Sequence, residues 1–272
     1  MTVSCGPCDS PAVRNRSIDA MIGRAMAESL KAALVDIGGT LWPNSWPVRA
    51  TDGEGRLARL RAVLPELPLE HATRLAGDII TRSRDLNGGT VMVPELIRID
   101  ADELITLCLN DHHVPLRPSL AMQVRRAMAI PIDAQFRPLP GALELLATIR
   151  ELGLRCVVAS NTYWRDAESY WDDFRLLGWA DSIDAVVTSV DAGHLKPHPA
   201  VFELAVKAAG VPAERCVVIG NKEANDVAPA LAMGMQAILV YPDDPPPSST
   251  RAQAVAADLW ECARALRVML GR

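Results

Sequence analysis

Apolar and polar positions alternate differently in successive parts of the chain. Ile18, Met21, Ile22, Ala25, Met26 and Leu30 recur at helical spacing and predict an amphipathic helix ahead of the first strand. Its apolar stripe suits packing on the core or on a partner, so a homodimer stays open. The run Ala32-Ala33-Leu34-Val35 then reads as a short buried strand. From about 52 to 135 the pattern is helical, broken at Pro65, Pro68, Asn87-Gly88-Gly89, Pro94 and Pro115, with no convincing strand alternation. Beyond Pro140-Gly141 helices and strands alternate. Helices are expected over 142–152, 164–177, 200–209 and 224–233. Strands are expected over 155–159, 183–188, 216–220 and 236–241. Residues 243–249 read as a stiff proline-rich linker. Residues 251–270 read as a final amphipathic helix with Val255, Leu259, Cys262, Leu266 and Leu270 on one stripe. The expected fold is α/β, a doubly wound parallel sheet with an inserted all-helical unit. The boundaries are an N-terminal tail and helix at 1–30, a core at 31–51 and 136–272, and the insert at 52–135. No internal repeat is visible.

In such sheets ligands gather beyond the carboxyl ends of the strands, and that is where the candidate chemistry falls. Asp36 follows the first strand and opens the turn Ile37-Gly38-Gly39-Thr40-Leu41. Ser160-Asn161 follows the second. Lys196, one of only four lysines, stands just before Pro197 and a proline-started helix. The strand ending at Gly220 leads into Asn221-Lys222-Glu223-Ala224-Asn225-Asp226. Taken singly these are weak signals. Asp-Ile-Gly-Gly-Thr also matches the phosphate loop of sugar kinases with an actin-like fold, a Ser-Asn after a strand is commonly a turn or helix cap, and a lone lysine is commonly a solvated surface charge.

In this order, each at its strand end, the four motifs resemble those of the haloacid dehalogenase-like superfamily. The resemblance implies a Rossmann-like core and a helical cap that closes over the active site and selects the substrate. It implies catalytic roles for Asp36 as nucleophile, Ser160 as a phosphoryl-oxygen donor and Lys196 as the neutralising cation. Gly39, Thr40, Asn161 and Trp42 become the expected substrate contacts. Magnesium is the implied cofactor, held by Asp36, the main-chain carbonyl of Gly38, Asn221 and Asp226. Asn221 replaces the usual aspartate but keeps a carbonyl oxygen.

One departure shapes the functional expectation. The superfamily's second aspartate, its acid and base, would stand at position 38, where this chain has glycine. A positioned acid or base is typically worth ~10²–10⁴ in rate. The expected activity is therefore a magnesium-dependent phosphatase on a small phosphorylated metabolite, with a good leaving group or with a proton donor from the cap, for which His112 and His113 are candidates. The alternative is a dehalogenase-type hydrolase working without metal, its carboxylate-binding arginine drawn from Arg49, Arg56, Arg59 or Arg61. A binding protein that keeps only the pocket is a third class. Phosphonatase chemistry needs a cap lysine, and residues 42–140 contain none. Tyr163, Trp164, Trp42 and Trp46 could line an apolar entrance.

Composition narrows the partners. The chain has 272 residues, 49% hydrophobic and 22% charged, and a net charge of −5, which offers no basic footprint for nucleic acid. No apolar run reaches the ~18 residues of a membrane span, and no secretory signal pattern opens the chain, so a cytoplasmic enzyme acting on a small molecule is expected. The six cysteines are scattered, two in expected buried strands, and read as core residues. Cys5-Gly6-Pro7-Cys8 copies a thioredoxin-like redox motif without the strand and helix that motif requires.

Overall fold

The computed structural model describes residues 30–43, 50–88, 100–133, 135–242, 245 and 248–272. In chain order the elements are β1 (Ala32–Val35), α1 (Ala50–Val63), α2 (Leu69–Gly88), α3 (Ala101–Asp111), α4 (Leu120–Met128), α5 (Ala142–Glu151), β2 (Arg155–Ser160), α6 (Ala167–Leu176), β3 (Ala185–Thr188), α7 (Ser189–Ala192), α8 (Pro199–Ala209), β4 (Cys216–Gly220), α9 (Ala228–Ala232), β5 (Gln236–Val240), β6 (Ala254–Ala256) and α10 (Leu259–Met269). The strands form one parallel sheet in the order β3-β2-β1-β4-β5-β6. This is the expected doubly wound α/β core.

Both faces of the sheet are covered, which is why its strands are continuously apolar. On one face Val35, Val158, Ile219 and Ile238 pack with Leu145, Phe174 and Leu266 from α5, α6 and α10. On the other, Leu34, Val157, Val218 and Leu239 meet Val201, Phe202 and Ala205 of α8. β1 lies between β2 and β4, with Val35 in register with Val158 and Ile219. The strand ends carrying Asp36, Ser160 and Gly220 therefore lie side by side. Helices α1 to α4 have their own apolar centre, made by Leu60, Leu75, Ile79, Ile105, Leu109, Val124 and Met128.

Several expected boundaries move. Residues 251–270 are not one helix: Ala254–Ala256 adds a sixth strand beside β5, and α10 starts at Leu259, where the Asp258 carboxylate accepts from the Glu261 amide. Val255, assigned to the helix stripe, is exposed on that strand. α6 begins at Ala167, three residues later than expected, because Asp166 is its N-cap and accepts from the Ser169 amide. The helix expected over 224–233 opens with a π-helical turn, Glu223–Val227, before α9. α2 runs to Gly88, within the break expected at Asn87-Gly88-Gly89. The helix expected over 18–30 and the Cys5/Cys8 pair lie outside the described residues. Among those described, no helix is long and apolar enough to cross a membrane.

Candidate active site

Asp36 leaves β1 into a turn closed on the Ile37 carbonyl, which accepts from the amides of Thr40, Leu41 and Trp42. Gly39 makes this possible. Its φ is 74°, a region costly for side chains, and its amide donates to the Trp42 carbonyl. The Asp36 carboxylate is thereby fixed at the carboxyl end of β1, 8% exposed, with the Thr40 hydroxyl donating to its Oδ2 at 3.3 Å. Lys196 arrives from the loop after α7. Its Nζ donates to Asp36 Oδ1 at 2.7 Å, to Asp226 Oδ1 at 2.6 Å and to the Ala159 carbonyl at 3.1 Å. All three ammonium donors are thus engaged. Burial alone would lower the lysine pKa, but Asp226 and Asp36 outweigh it and hold Lys196 firmly protonated. Burial also pushes Asp36 above the ordinary carboxylate range, with Asp226 adding to the rise against the pull of Lys196.

The neighbours hold this trio in place. Asn161 donates from Nδ2 to the Lys196 carbonyl at 3.0 Å and accepts from the Lys196 amide at 2.7 Å. Asp226 accepts at Oδ2 from the Lys222 amide at 3.0 Å. At Gly220 a β-carbon would stand 2.4 Å from Asp226 Cγ, so only glycine lets the carboxylate lie against the end of β4. Gly220→Ala is expected to displace Asp226, lowering turnover at least ~10-fold and stability by about 1–3 kcal/mol, the usual cost of overpacking. Thermal melting and initial rates check this, and unchanged turnover would contradict it.

A haloacid dehalogenase-like hydrolase family model matches residues 30–234. The chain belongs to this family. A glyceraldehyde 3-phosphate phosphatase of Methanothermobacter thermautotrophicus is 31% identical over 222 residues, 78% of this chain and 85% of that protein. Among solved structures, a 2-haloacid dehalogenase from Pseudomonas syringae aligns with a TM-score of 0.55 at 23% identity, over 87% of this chain and 98% of its own. A haloacid dehalogenase-family phosphatase from Thermococcus onnurineus aligns at 0.53 and 19% identity, over 87% and 98%. Both solved structures share the fold, one named for each chemistry.

In this haloacid dehalogenase-like hydrolase, a cavity of about 490 Å³ opens over the trio. Asp36, Gly38, Trp42, Ser160, Asn161, Lys196, Asn221 and Asp226 line it, so most of the residues selected from the sequence converge. Gly39 and Thr40 do not line it. Thr40 is fully buried and supports Asp36, while Gly39 shapes the turn. Asn161 reaches the wall but has both ends of its amide committed to Lys196. Trp42 packs edge-on against Phe136, with ring centroids 4.9 Å apart, and shows one side to the cavity. Ile37, Pro43, Tyr163, Tyr170, Lys222 and Asn225 complete the lining. Neither Tyr170 nor Gly220 was picked out from the sequence; an aromatic inside a helix and a glycine closing a strand carry no distinctive signal.

Two expectations are corrected by position. His112 and His113 do not line the cavity: His112 Nε2 lies 3.5 Å from Asp78, and His113 borders a separate apolar cleft among the inserted helices. Arg56 and Arg59 donate to the main-chain carbonyls of Met128, Ala127 and Ala129, and Arg165 donates to that of Ile130. They stitch down the segment returning from α4. Arg61 is exposed, and Arg49 lies outside the described residues.

The insert is also tied to the core by charge. Arg125 of α4, 3% exposed, donates to Asp102 at 2.7 Å, to the Trp164 carbonyl at 2.9 Å and to Asp166 at 3.1 Å. Arg126 donates to Asp166 at 2.8 Å. Burial works against ionisation of Asp166, yet the Ser169 hydroxyl and the two arginines draw its pKa down to about 2.

Proposed function

We propose that this hydrolase is a magnesium-dependent phosphatase acting on a small phosphorylated metabolite, with α1 to α4 serving as its cap. The observation that carries the reading is the trio itself: two buried carboxylates on one lysine, a net negative charge that a cation would balance. The donors around it are hard oxygens, two carboxylates, the Asn221 amide and the Gly38 carbonyl, and water can complete the set. That chemistry fits magnesium, which prefers hard oxygen ligands and keeps several waters. Bound there, magnesium would neutralise charge on the transferring phosphoryl group. The relative named as a glyceraldehyde 3-phosphate phosphatase supports a short sugar phosphate or similar ester as substrate.

In this reading Asp36 attacks phosphorus in line from the carboxyl end of β1, Lys196 holds the carboxylate in place, and its positive charge attracts the incoming oxygens. Ser160 donates to an equatorial oxygen. The buried Trp42 Nε1–H has no hydrogen-bond partner among the described residues. The dehalogenase alternative loses two of its supporting residues, since Arg56 and Arg59 are engaged with main-chain carbonyls.

The test is release of inorganic phosphate from a panel of triose, pentose and aryl phosphates, with magnesium and with chelator. Chelation is expected to lower the rate at least ~10²-fold, since several kcal/mol of charge neutralisation is lost. Chloride release from a 2-chloro acid in chelator, with no phosphate release in magnesium, would establish the other chemistry.

A further inference from the structure

Resting on the phosphatase reading, a question follows from Gly38: which group carries the proton that the leaving alkoxide needs? Among the described cavity residues most proton carriers are committed. Asp36, Lys196 and Asp226 are locked in the trio. Tyr170 is 5% exposed, stacked on Phe174 and covered by the Arg165 guanidinium. Lys222 also lines the cavity, and its main-chain amide, not its ammonium, is the group engaged with Asp226. Tyr163 is less buried than Tyr170. It lines the cavity, and its hydroxyl has no hydrogen-bond partner among the described residues.

The backbone around Tyr163 is anchored on both sides. Asn161 is bonded to Lys196. The Thr162 amide donates to the Ser189 hydroxyl at 2.7 Å, and that hydroxyl donates back to the Thr162 carbonyl at 2.7 Å. After it, the Trp164 carbonyl accepts from Arg125, and the Trp164 side chain packs on the apolar centre of the inserted helices. Tyr163 packs against Leu195, next to Lys196, and Ala101, the first residue of α3, packs against the same leucine. The phenol therefore stands where the insert, the lysine loop and the cavity meet. In an in-line displacement the leaving oxygen departs on the side opposite the nucleophile. Tyr163 lines the same cavity as Asp36, into which that oxygen would depart.

We infer that Tyr163 is the general acid and base of this enzyme, in place of the aspartate that position 38 lacks. In the first half-reaction the Asp36–phosphorus bond forms, the bond from phosphorus to the alcohol oxygen breaks, and the phenolic proton passes to that oxygen. In the second, water attacks the aspartyl phosphate, the Asp36–phosphorus bond breaks, and the water proton returns to the phenolate. No further reactant is required. Burial pushes the phenol above its ordinary pKa, which keeps the donor protonated at neutral pH and makes its anion a competent base.

The experiment compares the unaltered chain with Tyr163→Phe, which keeps the packing on Leu195. Activity is read on 4-nitrophenyl phosphate, whose leaving group needs no proton, and on glycerol phosphate, whose leaving group does. Glycerol phosphate turnover is expected to fall ~10²-fold while nitrophenyl phosphate falls less than about 10-fold, so kcat/KM becomes steeply dependent on leaving-group pKa. Adding Gly38→Asp to the Tyr163→Phe chain should recover alkyl turnover, because the positive φ in the turn belongs to Gly39 and a side chain at 38 is not opposed on that ground. Equal losses on both esters, or no loss, would overturn the assignment, as would failure of a folded, nitrophenyl-active double variant to recover. If the unaltered chain releases phosphate from no ester at all, the phosphatase reading has failed instead.

Discussion

Asp36→Asn is expected to remove turnover by at least ~10³-fold on every phosphate ester, including those with the best leaving groups, while the protein stays folded. Loss of a covalent nucleophile commonly costs this much or more. The amide is nearly isosteric with the carboxylate, so the turn through Gly39 and the contact with Thr40 can persist. Electrostatics favour survival of the fold, since Lys196 would face one buried carboxylate instead of two. Steady-state rates and thermal melting decide the matter together. A variant that melts as the parent does and retains more than about a tenth of its rate would remove Asp36 from the role of nucleophile.

Lys196→Met should abolish turnover and also destabilise the fold, by about 3–5 kcal/mol, because deleting one partner of a buried ionic cluster strands the charges that remain. Lys196 is 3% exposed and its three donors serve Asp36, Asp226 and the Ala159 carbonyl. The methionine would fill the volume but leave two carboxylates facing each other. Denaturant unfolding in chelator measures the cost, and magnesium should return part of it by supplying positive charge to the same oxygens. If the variant is as stable as the parent in chelator, the trio is not held as described.

These contrasting outcomes reflect what was legible in the chain. β1 to β5 could be read because each is a continuous apolar run stopped by glycine or a polar residue, and the inserted helices because prolines stand between them. β6 could not: three residues, two of them alanine, at the sheet edge, with Val255 facing solvent, leave no pattern to see. Asp36 and Ser160 were visible because strand ends mark them, Asp226 because it closes the loop that follows β4, and Lys196 because it stands just before Pro197 and a proline-started helix. Their order suggested a shared site, and the parallel register of β1 with β2 and β4 explains how they come together. The task of Asn161 was not visible, since its partner is a main-chain unit 35 residues away. Nor was the pairing of Arg125 with Asp166 across 41 residues, as neither side chain differs in sequence from an ordinary surface charge.

That pairing bears on how far the insert can be treated as an exchangeable module. Helices α1 to α4 look like a cassette, joined to the core by two connections and filled by their own side chains. Yet Asp166 starts the core helix α6 while depending on two arginines that belong to the insert. A helical unit transplanted from another chain would arrive without Arg125 and Arg126. It would leave a carboxylate that is 7% exposed with little beyond Ser169 to satisfy it, at the end of the loop that presents Tyr163. Grafts that carry both arginines, or that replace Asp166 with a neutral cap such as serine, are the ones that should fold.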